Sequence, residues 1–174
     1  MSDRRILVTD AAITLIATRG MRSVTHRAID DYLGIPLGSA VNVAKNRQSL
    51  LAVASEGVCR RLDARCTQAL QAEDNGVTFC TALACDDPRV FRAFAILSFD
   101  PEPDWQSKKT LRSAFASLAT VLSTLAGITE AQARMVLGSL LARLACGPAR
   151  AGQLREELPE LLRPAAPEPP CVDW

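Results

Sequence analysis

The residues with the most chemically informative spacing lie between Thr25 and Leu51, where basic and hydroxyl side chains are separated by glycines and other small residues. Thr25 is a residue type that caps the start of a helix, and Gly34 is the type that ends one. Pro36 fits the first turn of a second helix, where its missing N–H would have no partner in any case. The small residues 38–40 would let this second helix lie close to another surface. The pattern predicts a helix–turn–helix, which commonly places side chains in the major groove of DNA.

The same segment resembles the DNA-binding end of the TetR family of transcriptional regulators. The resemblance rests on a series of short matches: Thr25-His26-Arg27-Ala28, Ile29, Gly34-Ile35-Pro36, Leu37-Gly38-Ser39, Asn46-Arg47 and Leu50-Leu51. The first and fourth of these are similar to a branch common among actinobacterial members, and the matches cover the first third of the chain. The resemblance implies an all-α homodimer, in which a three-helix head is joined by a long helix to a C-terminal bundle that binds effectors and dimerises.

The chain differs from the family at the end of the second helix of the motif. Family members carry an aromatic pair there, whereas this chain has Val43 and Ala44, preceded by Val41. The resemblance implies that the first aromatic binds a DNA phosphate and that the second packs in the head. Loss of a buried phenyl ring costs about 3–5 kcal/mol unless a neighbour such as Tyr32 fills the space. Loss of a phosphate contact lowers affinity without changing base preference. We therefore expect a folded head with weakened DNA binding.

The predicted DNA contacts divide into base-reading and phosphate-binding side chains. The side chains expected to meet base edges are Leu37, Ser39, Ala40 and Asn42. Those expected to bind phosphate are Thr25, Lys45 and Arg47, with Thr25 also capping its helix. His26 and Arg27 are predicted either to bind phosphate or to lie on a solvated face.

The rest of the chain has a helical pattern, with glycine and proline at the breaks. An apolar stripe that ends at Gly20 predicts a first helix containing Val8, Ala11, Ala12, Leu15 and Ile16. Further helices are predicted at 47–73, 78–86, 88–99, 105–126, 129–146 and 151–163, with Pro159 kinking or ending the last. We divide the chain into a DNA-binding head (1–46), an effector-binding and dimerisation domain (47–163) and a disordered Pro-rich tail (164–174).

The segment 129–146 is apolar or small around nearly its whole circumference, so it is expected to be buried on several sides. The predicted dimer interface comprises Val136, Leu137, Leu140, Leu141, Leu144, Leu158 and Leu161. The alternative is a helix at the centre of a monomer. The resemblance also implies an effector pocket for a small apolar molecule, and the candidate walls are Val58, Leu62, Phe79, Phe91, Phe94, Phe99, Trp105, Phe115 and Met135. Taken singly, each of these apolar residues is more often part of an ordinary core.

Composition and charge support a DNA-binding protein only weakly. The net charge of the 174 residues is +1, but residues 1–50 hold seven basic and four acidic residues, so the predicted head is more basic than the body. No apolar run approaches the roughly 20 residues that span a bilayer. The N-terminus predicts a charged helix rather than a signal peptide, and we expect a cytoplasmic protein.

Metal, cofactor and catalytic chemistry are not expected. The six cysteines do not follow a zinc-ligand spacing, and His26 is the single histidine. Cys59 and Cys66 are predicted to be small core residues. Thiol sensing by Cys80 and Cys85 is the alternative role for cysteine, although no cluster of basic residues lies beside them in sequence to lower a thiol pKa.

These features predict a ligand-responsive, TetR-like transcriptional regulator, acting as a repressor, that binds a near-palindromic operator as a homodimer. The alternative is a ligand-binding or protein-interaction dimer that keeps the fold but has lost DNA binding. Val41, Val43 and Ala44 are the residues that favour the alternative.

Overall fold

The computed structural model describes residues 3–146 and 151–163, and within them the chain is helical. The α-helices of this part are α1 (Asp3–Arg19), α2 (His26–Leu33), α3 (Arg47–Gln71), α4 (Gly76–Cys85), α5 (Pro88–Phe99), α6 (Trp105–Ala126), α7 (Glu130–Cys146) and α8 (Ala151–Leu161). Two short 3₁₀ turns, Met21–Ser23 and Ala40–Asn42, connect the first helices, and no β-strand occurs among the described residues. The predicted all-α fold is confirmed. The predicted tail 164–174, which includes Cys171, lies outside the described residues.

Local hydrogen bonds explain where the helices begin and end. The Thr25 hydroxyl accepts the N–H of Ala28 at 3.1 Å, so the predicted cap of α2 is confirmed. Asn46 caps α3 in the same way. Gly34 ends α2 in the left-handed conformation that glycine adopts without strain. Pro159 lies inside α8 and neither starts nor ends it.

The long helix α3 connects the head to the body. It packs along α1, α5 and α6, and α1 in turn packs on α5. Gly57 is needed for this arrangement, because a Cβ at that position would overlap the side chain of Thr9 in α1. The buried apolar residues therefore form one cluster that runs from Val8 in the head to Leu162 in the body.

The residues predicted to form a dimer interface lie inside the protomer instead. The buried members are Val136, Leu137, Leu140, Leu141, Leu144 and Leu158, and only Leu161 is exposed. Helix α7 packs against α5 and α6, which cover its apolar side within one chain. The assignment of these six side chains to a subunit surface was therefore wrong. The exposed residues of α7 include Ala131, Met135, Ser139 and Ala142, together with the charged Glu130, Arg134 and Arg143.

The cysteines of the body are core residues. Cys59, Cys66 and Cys80 are buried, and Cys85 is half-buried. Burial raises the pKa of Cys59 and Cys80 to about 12 and that of Cys66 to about 11. Since the thiolate is the reactive form, these three thiols stay protonated at neutral pH, which argues against a sensing role for Cys80. Among the described residues, no group of acidic, cysteine or histidine side chains could hold a metal ion.

Within the described ranges, no single helix has the length and apolar composition needed to cross a membrane. Only α6 and α7 taken together meet that test, and they are bent by 115° at their junction.

The burial of Leu140 gives a stability prediction. Leu140→Ala should lower the free energy of unfolding by about 2–5 kcal/mol, because it leaves a cavity in the core. Ser139→Ala, on the exposed face of the same helix, should change it by less than about 0.5 kcal/mol. Urea unfolding followed by circular dichroism measures both. If Leu140→Ala keeps its stability and instead dissociates an oligomer, Leu140 belongs to an interface as the sequence predicted.

Candidate nucleic-acid interface and ligand cavity

A buried carboxylate holds the turn of the helix–turn–helix. Asp30 is 1% exposed, and its two oxygens accept the N–H of Gly38 at 2.7 Å and that of Ala40 at 2.8 Å. These two donors lie at the start of a helical turn, where the backbone has no partner of its own. Asp30 therefore caps this turn from another helix. Asp30 was not predicted to have this role, although an acidic residue directly after Ile29 in the apolar pattern of α2 was an available signal.

The second helix predicted from Pro36 is in fact a turn followed by the 3₁₀ segment Ala40–Asn42. Gly38 has a φ of 87°, a left-handed conformation that interrupts a right-handed helix. Helical hydrogen bonding resumes after Gly38, where the N–H of Asn42 donates to Ser39 O at 3.3 Å and that of Val43 donates to Ala40 O at 3.0 Å. The prediction of a helix–turn–helix therefore holds for its first helix and turn, and its second helix is shorter than predicted.

The turn exposes some of the predicted base-reading side chains and buries others. Leu37 is 70% exposed, and Asn42 is also exposed. Ser39 is half-buried, and its hydroxyl donates to Pro36 O at 2.6 Å. Ala40 is fully buried, so its methyl group faces the core and its assignment to a base edge was wrong. Val41, which was not predicted to contact a base, is exposed beside Asn42.

Three of the predicted phosphate ligands are exposed in the head: Thr25, Arg27 and Lys45. The Arg27 side chain lies 3.8 Å from the Asp31 carboxylate, at an exposed site where an ion pair contributes little. All three are therefore accessible to a phosphate.

His26 has an internal partner. Its Nε2 lies 2.6 Å from the carbonyl oxygen of Ala44, a hydrogen bond that places the ring proton on Nε2. This contact ties the start of α2 to the end of the turn. In this position His26 stabilises the head, which differs from both the phosphate contact and the solvated face predicted for it.

The head packs without the aromatic pair of the family. Ala44 is buried, and Val43 packs against the core. Tyr32 is 50% exposed, so it does not fill the place of the missing ring. The hydrogen bond between His26 and the carbonyl oxygen of Ala44 holds this part of the head.

Arg47 joins the head to the body. Its Nη2 donates to Met21 O and to Glu102 Oε2, both at 2.8 Å, and its other nitrogens bond Val24 O and Glu102 Oε1. The hydrogen bond to Glu102 raises the pKa of Arg47, and the same bond lowers the pKa of Glu102. The guanidinium is thus occupied within the protein, so the prediction that Arg47 binds phosphate was wrong.

The contacts of Glu102 continue to a lysine of α6. The backbone N–H of Glu102 donates to Asp100 Oδ1 at 2.9 Å. Lys108 donates from Nζ to the carbonyl oxygens of Leu97 and Ser98, each at 2.9 Å, and also to that of Asp100. Burial lowers the pKa of Lys108. A series of hydrogen bonds therefore runs from Lys108 through Asp100 and Glu102 to Arg47.

Lys108 lines a cavity of about 550 Å³ between the end of α5, α6 and α7. Its walls are Ser98, Phe99, Lys108, Leu111, Arg112, Phe115, Ala116, Arg134, Gly138 and Leu141. The volume lies within the range of about 300–1,000 Å³ that is usual for small-molecule sites.

The predicted effector residues are brought together only in part. Phe99 and Phe115 line the cavity. Leu62 and Phe91 line a separate cleft of about 250 Å³ between α3, α4 and α5. The remaining predicted residues are either buried in the core (Val58, Phe79, Phe94) or largely exposed (Trp105, Met135). The sequence analysis missed the basic wall residues Lys108, Arg112 and Arg134, because only the folded chain brings α6 and α7 to one cavity.

No family model matches the chain, and no curated protein matches it in sequence. Solved structures do match. A member of the TetR family from Streptomyces coelicolor has a TM-score of 0.67 and 17% identity, covering 93% of this chain and 99% of that one. A protein from a Rhodococcus species, described as a TetR-family transcriptional regulator, has a TM-score of 0.65 and 21% identity over 93% and 96% of the two chains.

A third match is the multidrug binding protein EbrR, solved with imidazole, with a TM-score of 0.61 and 17% identity over 97% of this chain and 100% of that one. EbrR was also solved with malachite green and with ethidium. This chain has the TetR fold. At these identities the similarity establishes the fold alone.

The Asp30 cap gives a prediction for the TetR-type head. Asp30→Ala should lower the free energy of unfolding by about 1–3 kcal/mol, because the N–H groups of Gly38 and Ala40 lose their partner. Asp31→Ala, at the exposed neighbouring position, is the control and should have a smaller effect. Urea unfolding of both variants makes the comparison, and equal losses would show that Asp30 does not hold the turn.

The Arg47–Glu102 pair gives a prediction for the junction of head and body. Glu102→Gln should speed amide hydrogen exchange in residues 21–25, because Arg47 then holds Met21 O and Val24 O less firmly. Since the pKa of Glu102 is lowered, the stabilisation is present above its ordinary pKa and is lost as the pH falls. The wild-type protein at low pH should therefore resemble the variant at neutral pH.

Hydrogen exchange with mass spectrometry measures the effect. Glu130→Gln is the matched control, because it breaks an exposed ion pair with Arg134 on α7. Unchanged exchange in residues 21–25 of the Glu102 variant would mean that the pair does not restrain the head.

Proposed function

We propose that this protein is a ligand-responsive transcriptional regulator that binds DNA through its helix–turn–helix. The observation that carries the proposal is the turn held by Asp30, which presents Leu37, Val41 and Asn42 outwards. Thr25 and Lys45, which also belong to the head, are exposed as well. The fold shared with TetR-family regulators supports the same function.

The exposed side chains have the chemistry required for DNA binding. The amide of Asn42 can make two hydrogen bonds to adenine, and the apolar groups of Leu37 and Val41 can contact a thymine methyl. Thr25 and Lys45 would bind phosphates, which sets the orientation on the duplex but not the sequence preference. The DNA contacts proposed for the chain are therefore Leu37, Val41, Asn42, Thr25 and Lys45, with Arg27 as a further phosphate ligand.

A near-palindromic operator requires two heads, so we propose a homodimer that acts as a repressor. The exposed face of α7 is the proposed contact surface, since Ala131, Met135, Ser139 and Ala142 lie on one side of the helix. Met135 is 75% exposed in the single chain, which is unusual for a large apolar residue. Leu161 of α8 is also exposed.

The cavity is the proposed effector site. A ligand that displaces Lys108 would disturb its bonds to the end of α5 and to Asp100. Asp100 contacts Glu102, and Glu102 holds Arg47, whose other bonds go to the head. Binding would then shift the population of heads that can bind DNA.

A ligand-binding or protein-interaction dimer without DNA binding is the second candidate. It is favoured by the short 3₁₀ segment Ala40–Asn42, by the absence of an aromatic pair at Val43 and Ala44, and by the engagement of Arg47 within the protein.

Duplex binding as a function of salt concentration tests the proposal. Lys45→Ala should reduce the slope of log affinity against log salt by about one unit, as expected for one lost phosphate contact. Asn42→Ala should cost about 1–3 kcal/mol at one base position of a selected operator. Lys109→Ala, an exposed lysine of α6, is the control and should leave both quantities unchanged. If no duplex is bound at low salt, the second candidate replaces the proposed function.

A further inference from the structure

The cavity beside α6 carries positive charge that a purely apolar ligand would not use. Three of its wall residues, Lys108, Arg112 and Arg134, are cationic, and none of its wall residues is acidic. The remaining walls are largely apolar: Phe99, Leu111, Phe115 and Leu141. We propose that the cavity binds an amphipathic anion, a small carboxylate with an aromatic or aliphatic body. The proposal rests on the proposed function, because this anion would be the effector of the regulator.

Arg112 is the residue assigned to the carboxylate. Its guanidinium carbon lies 5.8 Å from the centre of the Trp105 ring, so the side chain is oriented by a cation–π contact. Among the described residues, no carboxylate pairs with it. Its N–H groups therefore remain available to a ligand, and a guanidinium can donate two parallel hydrogen bonds to one carboxylate.

Lys108 and Arg134 already donate hydrogen bonds within the protein, so they offer a ligand mainly their positive charge. All three contacts of the Lys108 ammonium go to backbone carbonyl oxygens. Arg134 donates to Glu130 Oε1 at 2.7 Å on the exposed side of α7. The charge of Arg112 also lowers the pKa of Lys108, which means that the two cations repel each other across this site. An anion bound beside Arg112 would relieve that repulsion.

Gly138 leaves the cavity open on the side of α7. It lies in the middle of α7 and lines the cavity, and a Cβ added there would meet no atom within 4 Å. Glycine is less favourable than alanine inside a helix, so its presence has a cost for folding. No atom lies within 4 Å of that position, so close packing inside the protomer does not explain the glycine, and the cavity is open on this side.

The charge of the site separates this chain from one of its structural neighbours. EbrR was solved with malachite green and with ethidium, which are organic cations. A cavity lined by three cations repels such dyes and attracts an anion of similar size.

Isothermal titration of the full chain with three probes of similar shape tests the ligand class. The probes are 2-naphthoate, its neutral methyl ester and the 2-naphthylmethylammonium ion. We expect 2-naphthoate to bind about tenfold tighter than the ester, as one charge-assisted hydrogen bond would give, and the ammonium ion to bind most weakly. Equal or tighter binding of the ammonium ion, or no saturable binding of 2-naphthoate at millimolar concentration, overturns the proposal.

Substitutions identify the site. Arg112→Gln should weaken 2-naphthoate by about tenfold and leave the ester unchanged, and Arg112→Lys should restore part of the loss. Lys109→Gln removes the same charge about one helical turn away, from a residue that does not line the cavity. It therefore controls for the general electrostatic field of α6. Gly138→Leu should abolish binding of both naphthoate and ester while keeping the melting temperature. Equal effects of Arg112→Gln and Lys109→Gln overturn the assignment of Arg112.

Titrating an operator duplex with the same probes separates this proposal from the proposed function. Binding of 2-naphthoate without any change in duplex affinity supports the ligand class and contradicts the regulatory role. Salt-dependent duplex binding by a protein that does not prefer 2-naphthoate overturns the ligand class and leaves the DNA-binding function standing.

Discussion

The ion pair between Arg47 and Glu102 fixes the relation between the two ends of the molecule. Arg47 begins α3, and from that position it holds two carbonyl oxygens of the head and one carboxylate of the loop between α5 and α6. Both side chains are about one-third exposed, and pairs of that kind add little to stability. The main effect of the pair is therefore to fix the position of the head relative to the loop that carries Glu102. The loop that carries Glu102 and the turn that precedes α2 are held by the same guanidinium.

Polar contacts hold the head at the place where the resemblance to the TetR family led us to expect aromatic packing. Asp30 caps the turn from a neighbouring helix, and His26 bonds the carbonyl of Ala44 at the end of the same turn. A turn held at both ends can keep its shape with small residues inside it. Val43 and Ala44 are then compatible with a folded head.

The body combines a core closed within one chain with a cavity that is basic at its walls. The apolar side of α7 is covered by α5 and α6, which leaves the surface face of α7 with small residues and Met135. The cavity lies between the same helices and takes Lys108, Arg112 and Arg134 from them. Lys108 and Arg134 are already bonded within the protein, whereas Arg112 contacts only the face of the Trp105 ring. The amphipathic anion that we propose would use the charge of Arg112, which an apolar effector would not.

The sequence by itself determined where α2 begins and ends and where α3 begins, although not the short segment between them, because capping depends on residues three or four positions apart. Thr25, Asn46 and Gly34 act on their own helix, so the bounds of α2 and α3 could be predicted closely. The tertiary structure alone decided the roles of the site residues. Arg47 bonds Glu102, which is 55 positions away in the sequence, and this pairing occupies its guanidinium within the protein. Ala40 and Leu140 are buried by neighbours that no local pattern identifies. The charge of the cavity arose in the same way, since α6 and α7 each supply cations whose proximity exists only after packing. Contacts between distant segments depend on the geometry of the whole core, and a one-dimensional pattern does not contain that geometry.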